Sequence, residues 1–395
     1  MKLMLLNIAI LLLLCVNCTN TPNDSIKEIP FGDGIEHVKE INISRIASDV
    51  EYIALETTPD CLLGRDLYNV EFCGDYLFVR GDYQLFQFSK EGKFIRKIGK
   101  EGQVPEEYLK ITSAKYDNHK REIYVNDLLA KKIKVYSFDG NFIRDIPVGD
   151  GELLLHYDSD NKLFYMYPML YFNKQNSSEL IVYNENGEKV YDFPFIKKEN
   201  VKYPGFIFTN TIIYTYNNAL YCKDPLEANV YQLIGDKKNP AYFFNLGKYE
   251  KYSMLDDMIV TGTGDTGFGE INKEADNKIS FYDIFEMSDC ICFHYLQNQR
   301  RLALYDKINN EVCRVRGRNA KIDGFTDDLQ NGYPILPRFY TDNKIIGYVS
   351  AAALLEDLTD KNNVKDSVKH ILEDLSEDDN PVLQVVTLKM SQNDN

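Results

Sequence analysis

The sequence predicts an all-β protein, a six-bladed β-propeller of four-stranded antiparallel blades with two short helices inserted near the C-terminus. One observation behind this is a glycine-marked turn that recurs about every 48 residues. A second is that alternating or β-branched runs flank each turn, as in antiparallel hairpins. A third is that 395 residues with 28 Tyr, 22 Phe and no Trp suit a large β architecture and exclude tryptophan-dependent repeats such as WD40.

The repeat is marked by turn glycines at intervals of 48, 47 and 48 residues: Gly92, Gly140, Gly187 and Gly235. Upstream of each hairpin lies a further strand that ends in a polar turn, and one more strand fits between units. Each period therefore holds four short strands, the content of a propeller blade. The next hairpin, at Asn309 and Asn310, comes later than one period, and we predict that the surplus is an inter-blade loop over residues 251–278.

The two ends of the repeat region are expected to meet. The sixth unit begins near residues 333–339, continues through a helical insertion at 350–375, and ends with a strand at 382–388. Residues 50–56 alternate as another strand. In a ring the first and last strands can share a blade, which removes the open sheet edge. The propeller is thus predicted to span residues 45–390.

The N-terminus indicates export. Lys2 is followed by an apolar run over residues 3–16, which is the length of a signal h-region and shorter than the roughly 20 residues of a membrane span. The sequence around Cys18 resembles a bacterial lipoprotein signal, with Cys15 as the alternative acylated residue. We predict a signal peptide at 1–17, a tether and lead-in at 18–44, and an outer-membrane or cell-surface lipoprotein held by its lipid, with a periplasm-facing orientation also open.

Charge and cysteine content limit the partners. A formal charge of −15 disfavours nucleic acid and anionic lipid surfaces as ligands of the fold, and we expect a monomer. The internal cysteines have no zinc-site spacing, so they are interpreted as buried thiols, with a disulfide between distant cysteines left open.

Four residues are candidate ligand contacts at the channel rim. Asp82, Asp127 and Asp224 each end the strand before a blade hairpin, so equivalent positions would converge at one end of a ring. The alternative is that each carboxylate caps a turn. His294, near a strand end, is the fourth candidate, with a packed or surface histidine as its alternative.

Two further motifs are interpreted as loops. Residues 262–267 satisfy G-x-G-x-x-G but no helix-forming run follows, and residues 158–161 lack the central Gly and final Glu of a calcium loop. We therefore expect no cofactor and no metal, and we assign no catalytic residue.

Several segments carry a family resemblance: residues 52–57 before Leu63 and Gly64, residues 92–99, residues 123–127 and residues 380–383. In this order and spacing the chain resembles the six-bladed β-propeller lipoproteins of Bacteroidetes, relatives of NHL-repeat propellers, over residues 45–390. The resemblance implies a fold and a cell-envelope address. It implies no defined chemistry.

Two functions are compatible with these features. The preferred one is a non-enzymatic binding or scaffold lipoprotein for a peptide, glycan or envelope protein. The alternative is a periplasmic or surface hydrolase or lyase that uses acidic residues at the channel mouth. Two carboxylates and a His or Arg converging in a deep pocket with raised pKa values would favour the enzyme, and a solvated acidic rim would contradict it.

Overall fold

The computed structural model of the protein describes most of the chain after the N-terminal segment. The described residues are 26–64, 66–82, 84–149, 151–168, 170–171, 178–194, 206–207, 211–223, 228–251, 278–318, 322–341, 343–358 and 363–389. Within these ranges, none of the helices has the length and apolar character needed to cross a membrane. The predicted signal peptide, Cys18 and the 262–267 motif lie outside them.

The described chain begins with short elements that precede the ring. In order they are β1 (Lys27–Ile29), α1 (Phe31–Gly34), β2 (Val38–Glu40), a 3₁₀ turn (Ile43–Arg45) and β3 (Ala47–Ala54).

Six antiparallel blades follow, and in each the strands are numbered from the inner edge of the sheet, first to fourth. Blade 1 contains β4 (Asn69–Cys73), β5 (Tyr76–Arg80), β6 (Leu85–Ser89) and β7 (Phe94–Ile98). Blade 2 contains β8 (Ile111–Asp117), β9 (Glu122–Asp127), β10 (Lys132–Ser137) and β11 (Phe142–Pro147). Blade 3 contains β12 (Glu152–Asp158), β13 (Leu163–Pro168), β15 (Ser178–Asn184) and β16 (Lys189–Pro194), and β14 (Leu170–Tyr171) pairs with β17 (Phe206–Ile207) beside it.

The second half of the ring has the same plan. Blade 4 contains β18 (Ile212–Tyr216), β19 (Ala219–Lys223), β20 (Asn229–Ile234) and β21 (Lys237–Phe244). After β22 (Glu250–Lys251), blade 5 contains β23 (Lys278–Glu286), β24 (Cys290–Gln297), β25 (Gln299–Asp306) and β26 (Glu311–Arg316). Blade 6 contains β27 (Phe339–Thr341), β28 (Lys344–Val349), β29 (Val382–Leu388) and β3, with α2 (Ala351–Asp357) and α3 (Asp366–Asp374) inserted between β28 and β29. The predicted six-bladed propeller with two late helices is confirmed.

The repeated turns join the third and fourth strands of blades 1 to 5. Gly92, Gly140, Gly187 and Gly235 have φ values of +87°, +83°, +77° and +58°, and Asn310 takes the same left-handed conformation at +55° in blade 5. Glycine and, less readily, asparagine adopt this conformation without the clash that a larger side chain meets. The glycines recur because each of these turns requires a positive φ at the same position.

The ring closes through its two chain ends. β29 pairs antiparallel with β3, so the N-terminal strand is the outer strand of the last blade, as predicted. Earlier residues also join the ring, because β1 adds in parallel to β21 and β2 adds in parallel to β26. From Lys27 onward, the segment predicted as a lead-in is therefore packed on blades 4 and 5. Strands of three residues are too short to show an alternating pattern in the sequence.

The core lies between neighbouring blades and is rich in aromatic rings. Phe31 of α1 fills the space between blades 4 and 5, with its ring centroid 4.7 Å from that of Phe281 and 5.5 Å from that of Phe293, both at steep angles. The internal cysteines are all buried free thiols, as the sequence predicts: Cys61, Cys73, Cys222, Cys290, Cys292 and Cys313.

Candidate functional site

The first strands of the blades, from β4 in blade 1 to β27 in blade 6, surround a central channel. Neighbouring first strands contact one another around most of the ring, and among the described residues the inner edge of β23 carries the two-residue strand β22, which pairs with it in parallel. A cavity of about 1910 Å³ occupies this channel. It reaches the face of the ring that carries the turns between first and second strands, which we call the turn face, and its lining there includes Asn118, Ser159, Asn217, Ser288 and Asn343.

Three of the six first strands contain a β-bulge. The register with the second strand shifts at Thr112 in β8, at Leu155 in β12 and at Tyr282 in β23. A bulge leaves one residue unpaired and changes the direction of the side chains that follow it, and bulges are frequent beside functional sites. Polar residues that follow these bulges line the cavity.

Five ionisable side chains on this wall form what we call the channel belt: Glu71, Lys115, His156, Asp283 and Arg338. They come from β4, β8, β12, β23 and the residue before β27, so five of the six blades contribute. The Thr341 hydroxyl donates a 2.7 Å hydrogen bond to Oε1 of Glu71, which joins blade 6 to blade 1. Blades 2 and 5 lie opposite each other in a ring of six, so the belt places a cation and a carboxyl on facing walls.

Burial shifts the pKa values of three belt residues, Asp283, His156 and Lys115. Although each side chain keeps some surface in the channel, the surrounding protein removes most water. Loss of hydration raises the pKa of Asp283 to about 7, against the opposing effects of the Ile284 N–H, the Lys115 ammonium and the Arg338 guanidinium.

Burial also lowers the pKa values of two basic residues of the belt, His156 and Lys115. It lowers the pKa of His156 to about 4, with the Lys115 charge acting in the same direction. Burial lowers the pKa of Lys115, while the charges of Glu71 and Asp283 act in the opposite direction and raise it. Near neutral pH, His156 is uncharged and a substantial fraction of Asp283 is protonated.

Two of the three aspartates predicted as rim contacts, Asp82 and Asp127, lie within the described residues. Because second strands run antiparallel to first strands, Asp82 and Asp127 lie toward the face opposite the turn face. Asp127 is fully buried, and its carboxylate accepts hydrogen bonds from the backbone N–H groups of Leu109 at 2.8 Å and Lys110 at 3.0 Å. Asp82 is exposed, and Asp224 lies outside the described residues. Neither described aspartate lines the cavity, and their contact with a ligand stays a prediction.

His294 lies on the second strand of blade 5, directly behind the belt. It is 1% exposed and pairs with Asp283 in the β23–β24 register. Its Nδ1 is 3.3 Å from the Tyr282 hydroxyl, and burial lowers its pKa to about 3. The structure thus places His294 next to the channel wall, while its role as a ligand contact is untested.

The turn at residues 158–161 is a capped hairpin, as predicted. The Asp158 carboxylate accepts the backbone N–H groups of Asp160 and Asn161 at 3.0 and 2.9 Å. Over the described ranges, no group of three or more His, Cys, Asp or Glu side chains is arranged to hold a metal ion.

Sequence reasoning missed the channel belt. One usable signal was a charged residue within an apolar strand, as with Lys115 between Ala114 and Tyr116 and Asp283 between Tyr282 and Ile284. Alternation alone could not place these side chains, because a bulge changes which face they occupy.

Comparison with known proteins gives a family and two related folds. The family described as "Domain of unknown function (DUF4934)" matches residues 26–387. A solved protein of Bacteroides fragilis with the name "Putative exported protein" is similar over 93% of this chain and 100% of its own, with 20% identity and a TM-score of 0.68. A DUF4221 family member from Bacteroides vulgatus covers 87% of this chain and 97% of its own, with 12% identity and a TM-score of 0.52. No curated protein matches the chain.

Proposed function

The chain belongs to the DUF4934 family of undefined function, and we propose that it is an exported, lipid-anchored propeller that binds a ligand in its central channel without transforming it. The observation that carries the proposal is the channel belt, in which side chains from five blades face one cavity of about 1910 Å³. Binding sites are usually concave and contain a small number of convergent polar groups. A scaffold that only held its own fold together would gain nothing from placing charges there.

Binding in the channel is tested by placing a large side chain on the channel wall and measuring the affinity for a ligand. Thr215 is exposed on β18 and lines the cavity, whereas Ser48 is exposed on the outer strand β3. A ligand found by screening the full mature chain against glycans and peptides should lose at least about tenfold in affinity with Thr215→Trp, or about 1.4 kcal/mol. Ser48→Trp is the matched control and should bind as the wild type does. Equal affinity in both variants would place the ligand outside the channel.

The anchor is supported by the apolar run and Cys18, and by the name of the Bacteroides fragilis protein as an exported one. Cys18→Ser should move the protein from the membrane fraction to the soluble fraction, because serine cannot be acylated at this position and the protein then lacks its two-chain lipid anchor. Cys15→Ser should leave partitioning unchanged. If Cys18→Ser stays in the membrane fraction, acylation at Cys18 is refuted.

A hydrolase or lyase is the second candidate, favoured by one specific observation. Asp283, with its pKa raised to about 7, faces Lys115 across the channel, and a carboxyl with such a pKa can donate a proton near neutral pH. Chromatography of a bound ligand after long incubation separates the two functions. Ligand recovered intact favours binding alone, and products that disappear with Asp283→Asn favour the enzyme.

A further inference from the structure

Two cations of the channel belt, Lys115 and Arg338, differ from four cations elsewhere in the fold that are paired with carboxylates. These pairs are Lys134 with Asp145 at 3.1 Å, Lys307 with Glu286 at 2.8 Å, Arg314 with Asp323 at 2.8 Å, and Lys238 with Glu179. The buried Arg80 guanidinium instead lies 4.5 Å from the centroid of the Tyr68 ring. Within the described part of the chain, neither Lys115 nor Arg338 has a carboxylate oxygen within 4.0 Å. A cation that is partly removed from water and left unpaired costs free energy, which an incoming anion would recover.

Asp283 does not neutralise these two cations. Both act on its pKa, so both lie in its surroundings, yet its Oδ1 accepts a 2.9 Å hydrogen bond from the backbone N–H of Ile284. The protonated carboxyl and the neutral His156 ring each offer a donor and an acceptor. The belt therefore combines two cations that have no direct carboxylate partner with Glu71, whose Oε1 accepts a hydrogen bond from Thr341, and with two groups that suit hydroxyls, Asp283 and His156.

Flat aromatic rings lie on the same wall. Tyr116 and Tyr340 are half-buried and line the cavity. The Tyr116 hydroxyl donates to Oδ1 of Asn69 at 2.7 Å, and the Tyr340 ring lies 5.8 Å from that of Phe285. Rings fixed in this way offer apolar area at little entropic cost, which suits the C–H face of a pyranose.

We propose that the channel belt binds an anionic saccharide, with a sugar carboxylate between Lys115 and Arg338 and hydroxyls on Asp283 and His156. This inference rests on the proposed function, because it requires a ligand in the channel. A guanidinium matches a carboxylate through two parallel N–H donors, and an ammonium adds a compact charge. A cavity of about 1910 Å³ has room for several sugar rings. A peptide carboxylate shares the anion but has few hydroxyls, and it is an alternative outcome of the test.

The probe is trigalacturonate, with its fully methyl-esterified form as the uncharged control of the same skeleton. Isothermal titration of the full mature chain should show binding of the acid and at least about tenfold weaker binding of the ester. Lys115→Met and Arg338→Met should each weaken binding of the acid by about 10- to 100-fold, the value of one charge-assisted hydrogen bond. Lys97→Met, an exposed lysine on the outer strand of blade 1, should change nothing.

Each other result overturns the proposal in a distinguishable way. Equal binding of acid and ester, or equal loss in Lys97→Met, removes the role of the two cations while leaving channel binding intact. If a tripeptide carboxylate binds and trigalacturonate does not, the site is assigned to peptides. No binding of trigalacturonate below about 1 mM refutes the saccharide, and the Thr215→Trp comparison then decides the proposed function separately. Where a methionine variant is unfolded by circular dichroism, Arg338→Lys, which keeps the charge but loses the fork, must still weaken binding.

Discussion

Replacing Asp283 with asparagine should stabilise the protein at alkaline pH and much less at acidic pH. The pKa of this carboxyl rises from 3.8 to about 7 in the folded protein because burial disfavours its charge. Between these values the folded state binds more protons than the unfolded state, so stability falls as pH rises through that window. Asparagine has nearly the same shape and no charge, so the variant lacks this loss.

The expected size follows from the pKa difference. Between pH 5 and pH 8 the linkage relation gives the wild type a loss of about 2.5 kcal/mol through this group. Because the channel leaves the carboxyl some contact with water, we expect Asp283→Asn to gain about 2 kcal/mol on the wild type over that interval.

Urea unfolding followed by tyrosine fluorescence at pH 5 and pH 8 measures this difference. Asp289→Asn, an exposed aspartate in the turn after the same strand, is the control and should show the same effect at both pH values. If Asp283→Asn differs from the wild type by the same amount at pH 5 and pH 8, burial does not raise the pKa of this carboxyl.

Two further predictions concern the construction of the ring, and urea unfolding measures both. Lys307→Met should lower the free energy of unfolding by about 3 to 5 kcal/mol, because the buried Glu286 carboxylate loses its ion pair at 2.8 Å. Lys39→Met, which removes the exposed pair with Glu311, should lower it by less than about 1 kcal/mol. Similar losses in the two variants would show that burial does not determine the strength of the ion pair. Gly92→Ala should cost more than about 2 kcal/mol, because the residue has φ +87° and a new Cβ would lie 2.4 Å from a backbone carbonyl oxygen. Gly74→Ala, at φ +63° in open space, should cost only about 1 kcal/mol, and an equal cost at both sites would exclude the close contact as the cause.

The fold was predictable because its repeated feature is local. A turn that requires positive φ selects glycine at the same place in blades 1 to 4 and asparagine in blade 5, and the alternating runs around it follow from the pleat. The closing strand was also predictable, since residues 50–56 alternate and Val382–Leu388 is rich in Val and Leu, at the two ends of the repeat. The parallel additions of β1 and β2 were not, because three residues carry no periodic signal.

The channel belt was less accessible to sequence reasoning for a physical reason. The predicted aspartates were chosen because they occupy equivalent positions in successive repeats, and the carboxylate of Asp127 caps a turn. Lys115 and His156 also occupy equivalent positions, third from the turn in β8 and β12, but they differ in residue type, and Asp283 lies one position further from its turn. Convergence across a ring depends on closure of the whole chain, which no local pattern encodes.

The channel belt differs from the buried charged residues that hold the blades together in its effect on the free energy of folding. Residues that build the ring lower its energy: Glu286 has an ion pair and two tyrosine hydroxyls as donors. Asp283 and Lys115 raise it, because each loses hydration without gaining a direct partner of opposite charge among the described residues. A rigid wall can hold such groups in place, since hydrogen bonds such as that between Thr341 and Glu71 connect adjacent blades. These charged groups are partly dehydrated and already line the cavity, so a ligand can bind them without a rearrangement of the protein. This is the physical argument for a binding site inside the channel.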